Sequence, residues 1–341
     1  MSVHRRASAD VLFLSADDCR QLLDTAAILE GVEDALRMDY GGAVRWSSPP
    51  DIRLRGGSGQ TRVRVKAGGL SGEGCAGIRV LVFPDQHPET RWVIVFDDST
   101  GEPRAIIDEA WTYPRRAIAS VALIAHAVRP SEICQVGLVG AGRIARAALP
   151  FVGHLFPGAA VAMCSRRPGP VHDLVNVARD RLGLDARAVT VERAVRGSQI
   201  VFACTSATSA VLEDAWVEPG TVVGSMETLE CGPDFFARAD LRIVDSLEQL
   251  EDELTGAFGP GAPARIDATM SEVIAGTHPA RAREEDRILV LSQGLVSQDL
   301  VLAARAYRSA MARGIGTRLP IGPVAGRAVG PVVAPEVRSL P

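Results

Sequence analysis

Lysine is almost missing from this chain: of 37 basic residues, Lys66 alone is not an arginine. A general arginine bias accounts for the arginines and leaves the surviving lysine as a question. Paired cysteines are missing as well. Cys19, Cys75, Cys134, Cys164, Cys204 and Cys231 are scattered with no C-x-x-C spacing, which argues against a zinc cage and a disulfide framework and fits a cytoplasmic protein with reduced thiols. Six histidines show no metal-ligand spacing, so no metal site is expected. The longest apolar run, Ile118 to Val128, is interrupted by His126 and is well short of a membrane span. The start, Met1 to Asp10, holds His4, Arg5 and Arg6 with no apolar core behind them, so a secretory signal is not expected. No basic run stands out, the net charge is −4 and the pI about 5.9; a nucleic-acid partner is therefore not expected.

What is present is ordinary globular material. Over 341 residues, 47% are hydrophobic and 23% charged, enough apolar surface to offset chain entropy, and the length suggests about two domains. Ser15 to Tyr40 carries a helical apolar pattern behind a Ser-Ala-Asp-Asp start suited to a helix N-terminus. Strand-like pieces follow at Asp51–Arg55, Thr61–Ala67, Gly77–Phe83, Trp92–Asp97 and Pro103–Asp108, separated by Gly, Pro and Asp turns. They predict an antiparallel half, closed by a helix over Ala110–Ala127. After Pro130 the pattern changes. Apolar strands at Ile133–Val139, Ala160–Cys164, Ala188–Val191, Ile200–Cys204, Thr221–Ser225, Leu241–Val244 and Ile288–Leu291 alternate with helical segments, which predicts a parallel sheet covered on both faces. Gly256–Ala264 reads as a loop, Asp299–Gly314 as a helix and Ile321–Pro341 as a loose arm.

The segment from Ile133 to Ala145 is the most informative. A strand runs into Gly140-x-Gly142-x-x-Ala145 and then into a helix. Gly140 permits the tight turn, Gly142 lets backbone approach a pyrophosphate, and Ala145 lets helix and strand pack closely. The helix N-terminus adds free amides and the positive end of a dipole. At the end of the next strand an NAD enzyme usually carries Asp or Glu for the ribose hydroxyls. Here the sequence is Cys164-Ser165-Arg166-Arg167-Pro168. Guanidiniums in that place suit a 2′-phosphate, so NADP(H) is favoured over NAD(H).

With these motifs the chain resembles the ornithine cyclodeaminase/mu-crystallin family. The likeness runs from Leu12 to Pro320 and rests on Gly77-Ile-Arg-Val80, Tyr113 to Ser120, Gly140 to Ala145, Ala237 to Asp245, Val273 to Gly276, Ser292 to Asp299 and Gly314-Ile-Gly316. It implies a Rossmann domain at 129–305 and a smaller α+β substrate and dimerisation domain built from both chain ends, 1–128 and 306–325, with 326–341 as a flexible tail. It also implies a homodimer and an NAD(P)-dependent oxidoreductase acting on amino acids or imines. Within the family the likeness is greatest to the siderophore-pathway N-(2-amino-2-carboxyethyl)-L-glutamate dehydrogenases, which release 2,3-diaminopropionate and 2-oxoglutarate. The shared feature is a short segment before Ala237. Cyclodeaminases, the runner-up, carry a longer loop with a catalytic aspartate there. A non-catalytic crystallin-like binder is the third reading.

The site residues follow from the resemblance and from chemistry together. Arg53, Arg79 and Arg115 fall at or near the family's carboxylate-binding positions, with Arg79 where relatives have a pocket lysine. Arginine forks match carboxylates but do not serve as bases near neutral pH. Amine oxidation needs a base, and Glu230, Glu227 and Lys66 are the candidates. The expected cofactor contacts are Gly140, Gly142, Arg143 and Ile144 at the turn, Ser165, Arg166 and Arg167 after the second strand, and Thr205, Ser225 and Ser292 at later strand ends. Ser225 lies in no G-x-S-x-G elbow, so a hydrolase is not indicated.

Overall fold

The computed structural model describes residues 10–250, 265–278 and 281–320. Two eight-stranded sheets organise them. The first contains β1 (Asp10–Leu14), β2 (Val44–Trp46), β3 (Ile52–Arg55), β4 (Thr61–Leu70), β5 (Cys75–Pro84), β6 (Thr90–Asp97) and β7 (Pro103–Asp108), joined by β16 (Thr317–Pro320) from the far end of the chain. Its ladders are antiparallel except that β1 runs parallel to β7. The second sheet holds β8 (Gln135–Val139), β9 (Ala160–Cys164), β10 (Ala186–Ala188), β11 (Ile200–Ala203), β12 (Val222–Ser225), β13 (Leu241–Val244), β14 (Ala268–Thr269) and β15 (Ile288–Leu291). All its ladders are parallel. Its central strands are unbroken apolar runs because helices cover both faces.

The order β10-β9-β8-β11-β12-β15-β13-β14 sets where a ligand can sit. The chain winds outward from β8 through β9 to β10, then returns to β11 on the other side of β8. That reversal opens a crevice outside the carboxyl ends of β8 and β11, the usual ligand position in doubly wound sheets. Among the described residues, the helices α1 (Ala16–Leu22), α2 (Thr25–Tyr40), α3 (Thr112–Ala127), α4 (Arg143–Leu155), α5 (Pro168–Leu182), α6 (Val191–Val195), α7 (Gly232–Arg238), α8 (Met270–Ala275) and α9 (Val296–Arg313) pack around these sheets. Helices α3 and α9 are shared. The first packs on α2 and α4; the second lies across β4, β5 and β6.

Local chemistry explains where the elements depart from expectation. The single helix expected over Ser15–Tyr40 is two, because Leu23 is extended and Asp24 caps a new start by accepting from the Ala27 amide. The strand expected at Ala188–Val191 stops at Ala188, since Thr190 caps α6 through the Arg193 amide. The expected loop at Gly256–Ala264, the arm at Ile321–Pro341 and the first nine residues lie outside the described residues. Among those described, no helix is long and apolar enough to cross a membrane.

Candidate active site

The glycine turn ends β8 at the crevice. Gly140 has φ +117°, and a Cβ there would lie 2.3 Å from the Cys204 carbonyl oxygen, so no other residue fits between β8 and β11. Its amide donates to the Cys164 carbonyl at 2.8 Å, tying the turn to the end of β9. Gly142 differs. It caps α4 with no side-chain hydrogen bond, and a Cβ there would meet nothing within 4 Å. Open space and free helix amides together form a cradle for a diphosphate. Beyond it runs a groove of about 630 Å³ lined by Gly140, Gly142, Ser165, Arg166, Arg167, Thr190 and Thr205. No Asp or Glu is among its lining residues.

A second cavity, of about 550 Å³, meets the groove at Gly142, Cys204, Thr205 and Ser206. Its walls come from both sheets. Strands β4 and β5 contribute Arg64, Lys66 and Arg79; α3 contributes Tyr113 and Arg116; Arg143 and Ile144 lie at the turn, and Glu227 and the 292–294 segment close it. Arg79 sits on the buried side of β5 and is 2% exposed. Its Nε donates to Glu109 at 2.6 Å and lies 3.4 Å from Asp299. Arg116 donates to Asp299 at 2.6 Å. Two guanidiniums thus alternate with two carboxylates, all buried. Burial and the neighbouring Asp299 charge raise the Glu109 carboxyl above its usual range, against the lowering pull of Arg79. Burial alone would lower the Arg79 pKa, but the Asp299 and Glu109 charges outweigh it and hold the guanidinium above its ordinary value. Arg79 Nη2 has no hydrogen-bond partner among the described residues. A buried donor without an acceptor is costly, and a ligand oxygen in the cavity would satisfy it.

Lys66 lies on β4, 3% exposed. Its Nζ donates to Gln249 Oε1 at 2.6 Å and to the Gly294 carbonyl at 2.9 Å. Burial, with Arg64 and Arg79 nearby, pushes its pKa down to about 8. Gly294 is the hinge of this corner. Its amide donates to Asp245 at 2.5 Å, its φ is +84°, and a Cβ would strike Arg116 Nη1 at 2.4 Å. Ser292 donates to the same Asp245 oxygen at 2.9 Å. Desolvation raises the Asp245 carboxyl above its ordinary value. At the mouth, Glu89 pairs with Arg91 and with Arg143 of the glycine turn, and Tyr113 lies under Arg91, 3.8 Å from guanidinium carbon to ring centre.

Four expected site residues line neither the cavity nor the groove. Arg53 is 57% exposed on β3 and holds Asp51 at 3.0 Å; its ladder partner Arg64 holds the same carboxylate and reaches the cavity. Arg115 turns back along α3, donating to the Trp111 carbonyl at 2.9 Å and stacking on that ring. Its neighbour Arg116 points in. Glu230 is fully buried, accepting from the Thr205 amide and from Ser225 Oγ, each at 2.6 Å. Burial raises its pKa, yet it supports the Thr205 loop rather than facing a ligand. Ser225 is buried in the same contact and lines neither space. Glu227 is exposed on the cavity rim. Gly140, Gly142, Ser165, Arg166, Arg167 and Thr205 line the groove, and Arg143, Ile144 and Ser292 the cavity.

Arg116, Glu109, Asp245 and Asp299 are site residues that the motifs do not mark. For Arg116 a signal existed: Thr112, Arg116 and Ser120 repeat at helical spacing on the buried stripe of α3. Among the described residues no group of His, Cys, Asp or Glu could hold a metal ion.

Comparison with known proteins agrees with this architecture. The model of the ornithine cyclodeaminase/mu-crystallin family matches residues 10–314. An alanine dehydrogenase of Archaeoglobus fulgidus is 25% identical over 91% of this chain and 98% of its own length. An N-((2S)-2-amino-2-carboxyethyl)-L-glutamate dehydrogenase of Staphylococcus aureus is 25% identical, over 38% of this chain and 40% of its own. Among solved structures, Thermococcus litoralis Δ1-pyrroline-2-carboxylate reductase, in complex with NADH and L-proline, superposes with a TM-score of 0.83 at 20% identity, covering 91% of this chain and 100% of that one.

Proposed function

The chain belongs to the ornithine cyclodeaminase/mu-crystallin family, and we propose that it oxidises a C–N bond of a carboxylate-bearing amino acid with an NAD(P) cofactor. The preferred form is cleavage of N-(2-amino-2-carboxyethyl)-L-glutamate to 2,3-diaminopropionate and 2-oxoglutarate. The carrying observation is one of placement. A groove shaped for a dinucleotide opens at Gly142, Thr205 and Ser206 into a cavity walled by Arg64, Lys66, Arg79 and Arg116.

The residues fit the cofactor. Gly142 leaves open space at the N-terminus of α4, and Gly140 keeps the turn tight. Arg166 and Arg167 stand in a groove wall without Asp or Glu, which supports NADP(H) over NAD(H). When bound, the nicotinamide supplies the hydride acceptor. The protein's own tasks are then binding and proton handling. Arg79 Nη2 and the fork of Arg116 would hold substrate carboxylates, fixed in place by Glu109 and Asp299. The substrate ammonium must lose a proton before its α-hydrogen can leave as hydride. Lys66 and Glu227 are the titratable groups on the cavity wall that could take it. Water then adds to the oxidised carbon, and the C–N bond breaks. A homodimer is part of this reading, on the family pattern.

A second reading, imine reduction, runs the same proton and hydride transfers in reverse; the likeness to the pyrroline-carboxylate reductase supports it. The test mixes purified protein with NADP⁺ or NAD⁺ and, separately, the glutamate conjugate, ornithine and lysine. Reduced nicotinamide and 2-oxoglutarate appearing together with the conjugate is the expected result. Proline or pipecolate forming with flat absorbance would mean a cyclodeaminase.

A further inference from the structure

We infer that Lys66 takes the proton from the substrate nitrogen, with Gly294 and Asp245 positioning its amine and Arg79 holding a substrate carboxylate beside it. This rests on the C–N oxidation proposed above and assigns one of its steps to one atom.

The geometry narrows the choice. Glu230 is sealed behind Thr205 and Ser225. Asp245 directs one oxygen at Ser292 and the Gly294 amide and does not line the cavity. Glu227 stands at the solvent-exposed rim. Lys66 is on the wall and almost fully buried, and among the described residues both its hydrogen-bond acceptors are neutral; Cys204 on the same wall is as buried, but burial raises its thiol pKa and keeps it protonated. An ammonium carries three N–H bonds, and Gln249 and Gly294 take two. Among the described residues no third partner is present, and Lys66 lines the cavity.

Burial first, and then the surrounding charges, lower the pKa of this amine. Arg64 on its own strand and Arg79 across the ladder oppose its protonation; Asp245 and Asp51 support it. Desolvation adds to the opposing side, and the balance lies near pH 8. Arginine at this position could not share the task, since its guanidinium keeps its proton. The step is a simple transfer: an N–H bond of the substrate ammonium breaks, an N–H bond forms on Lys66 Nζ, and the freed lone pair becomes the second C=N bond as hydride leaves to a nicotinamide dinucleotide.

That Lys66 is the chain's only lysine makes the test clean. Enzyme grown with [¹³Cε]lysine has a single labelled side chain, whose chemical shift against pH reads this amine directly in the full-length protein. A midpoint near 8 is expected, moving to lower pH in Asp245→Asn because a supporting negative charge is gone. With the glutamate conjugate, kcat/KM of the native enzyme should rise with pH through the same midpoint. Lys66→Arg should lose roughly 100-fold or more in kcat while still quenching reduced-nicotinamide fluorescence on binding. A midpoint above 10, or an unchanged pH limb in Lys66→Arg, would overturn the assignment while C–N oxidation itself stood. A native enzyme that binds cofactor yet turns over no amino acid or imine would overturn both.

Discussion

Lys66 and Arg79 are directly opposite one another in the antiparallel β4–β5 ladder, and both side chains are buried. One cation is held by Glu109 and Asp299; among the described residues the other donates to neutral oxygens of Gln249 and Gly294. The pair therefore divides binding from proton transfer. Arg79→Met should raise the Lys66 midpoint, since a repelling charge is removed. It should also cost about 3–5 kcal/mol of stability, because two buried carboxylates would share one remaining arginine. Urea unfolding measures the second effect and the lysine ¹³C shift the first.

Neighbouring arginines on α3 should behave oppositely. Arg115→Ala should leave kcat and KM within about twofold of native, because Arg115 bonds its own helix at Trp111. Arg116→Lys keeps a positive charge beside Asp299 but loses the fork. It should raise KM for the conjugate by roughly 10–100-fold. Steady-state kinetics on both variants decides which arginine holds substrate.

The two glycines of the turn separate folding from cofactor binding. Gly140→Ala places a Cβ against the Cys204 carbonyl at a positive φ, so a lower melting temperature is expected. Gly142→Val points into open groove. It should melt like the native protein yet bind reduced nicotinamide dinucleotide at least about tenfold more weakly, since the β-branched group occupies the diphosphate cradle. Thermal melts and fluorescence titration report the two effects separately.

The 2′-phosphate reading depends on Arg166 and Arg167. Replacing both by Ala should weaken NADPH by roughly 10–100-fold, the worth of one or two charge-assisted hydrogen bonds, and leave NADH nearly unchanged. Equal losses for the two cofactors would make these arginines contacts to a shared part of the dinucleotide.

Periodicity and turn chemistry made the fold legible. The apolar runs of β8, β11 and β15 and the Gly140–Ala145 turn mark the parallel sheet from sequence alone. What it hid was tertiary. β16 reads as featureless because its pairing partner, β1, lies at the other end of the chain. Arg115 and Arg116 are adjacent; the Thr112–Arg116–Ser120 spacing marks the inward one, but its partner Asp299 lies 183 residues away and is not legible from that spacing. Glu230 reads as suitable for a base, yet the Thr205 amide, 25 residues away, and the Ser225 hydroxyl at the end of β12 occupy it. Lys66 was visible for a compositional reason, its solitude, whereas its pairing with Gly294 and Gln249 depends on segments far along the chain.

The central claim, hydride removal from a nitrogen-bearing carbon, is tested most directly by isotope. N-(2-amino-2-carboxyethyl)-L-glutamate deuterated at the glutamyl α-carbon is incubated with enzyme and NADP⁺, and cofactor and products are weighed by mass spectrometry. The account predicts deuterium in the reduced cofactor and release of unlabelled 2-oxoglutarate. Deuterium retained in recovered conjugate, with no reduced cofactor formed while ornithine or an imine is turned over, would contradict it.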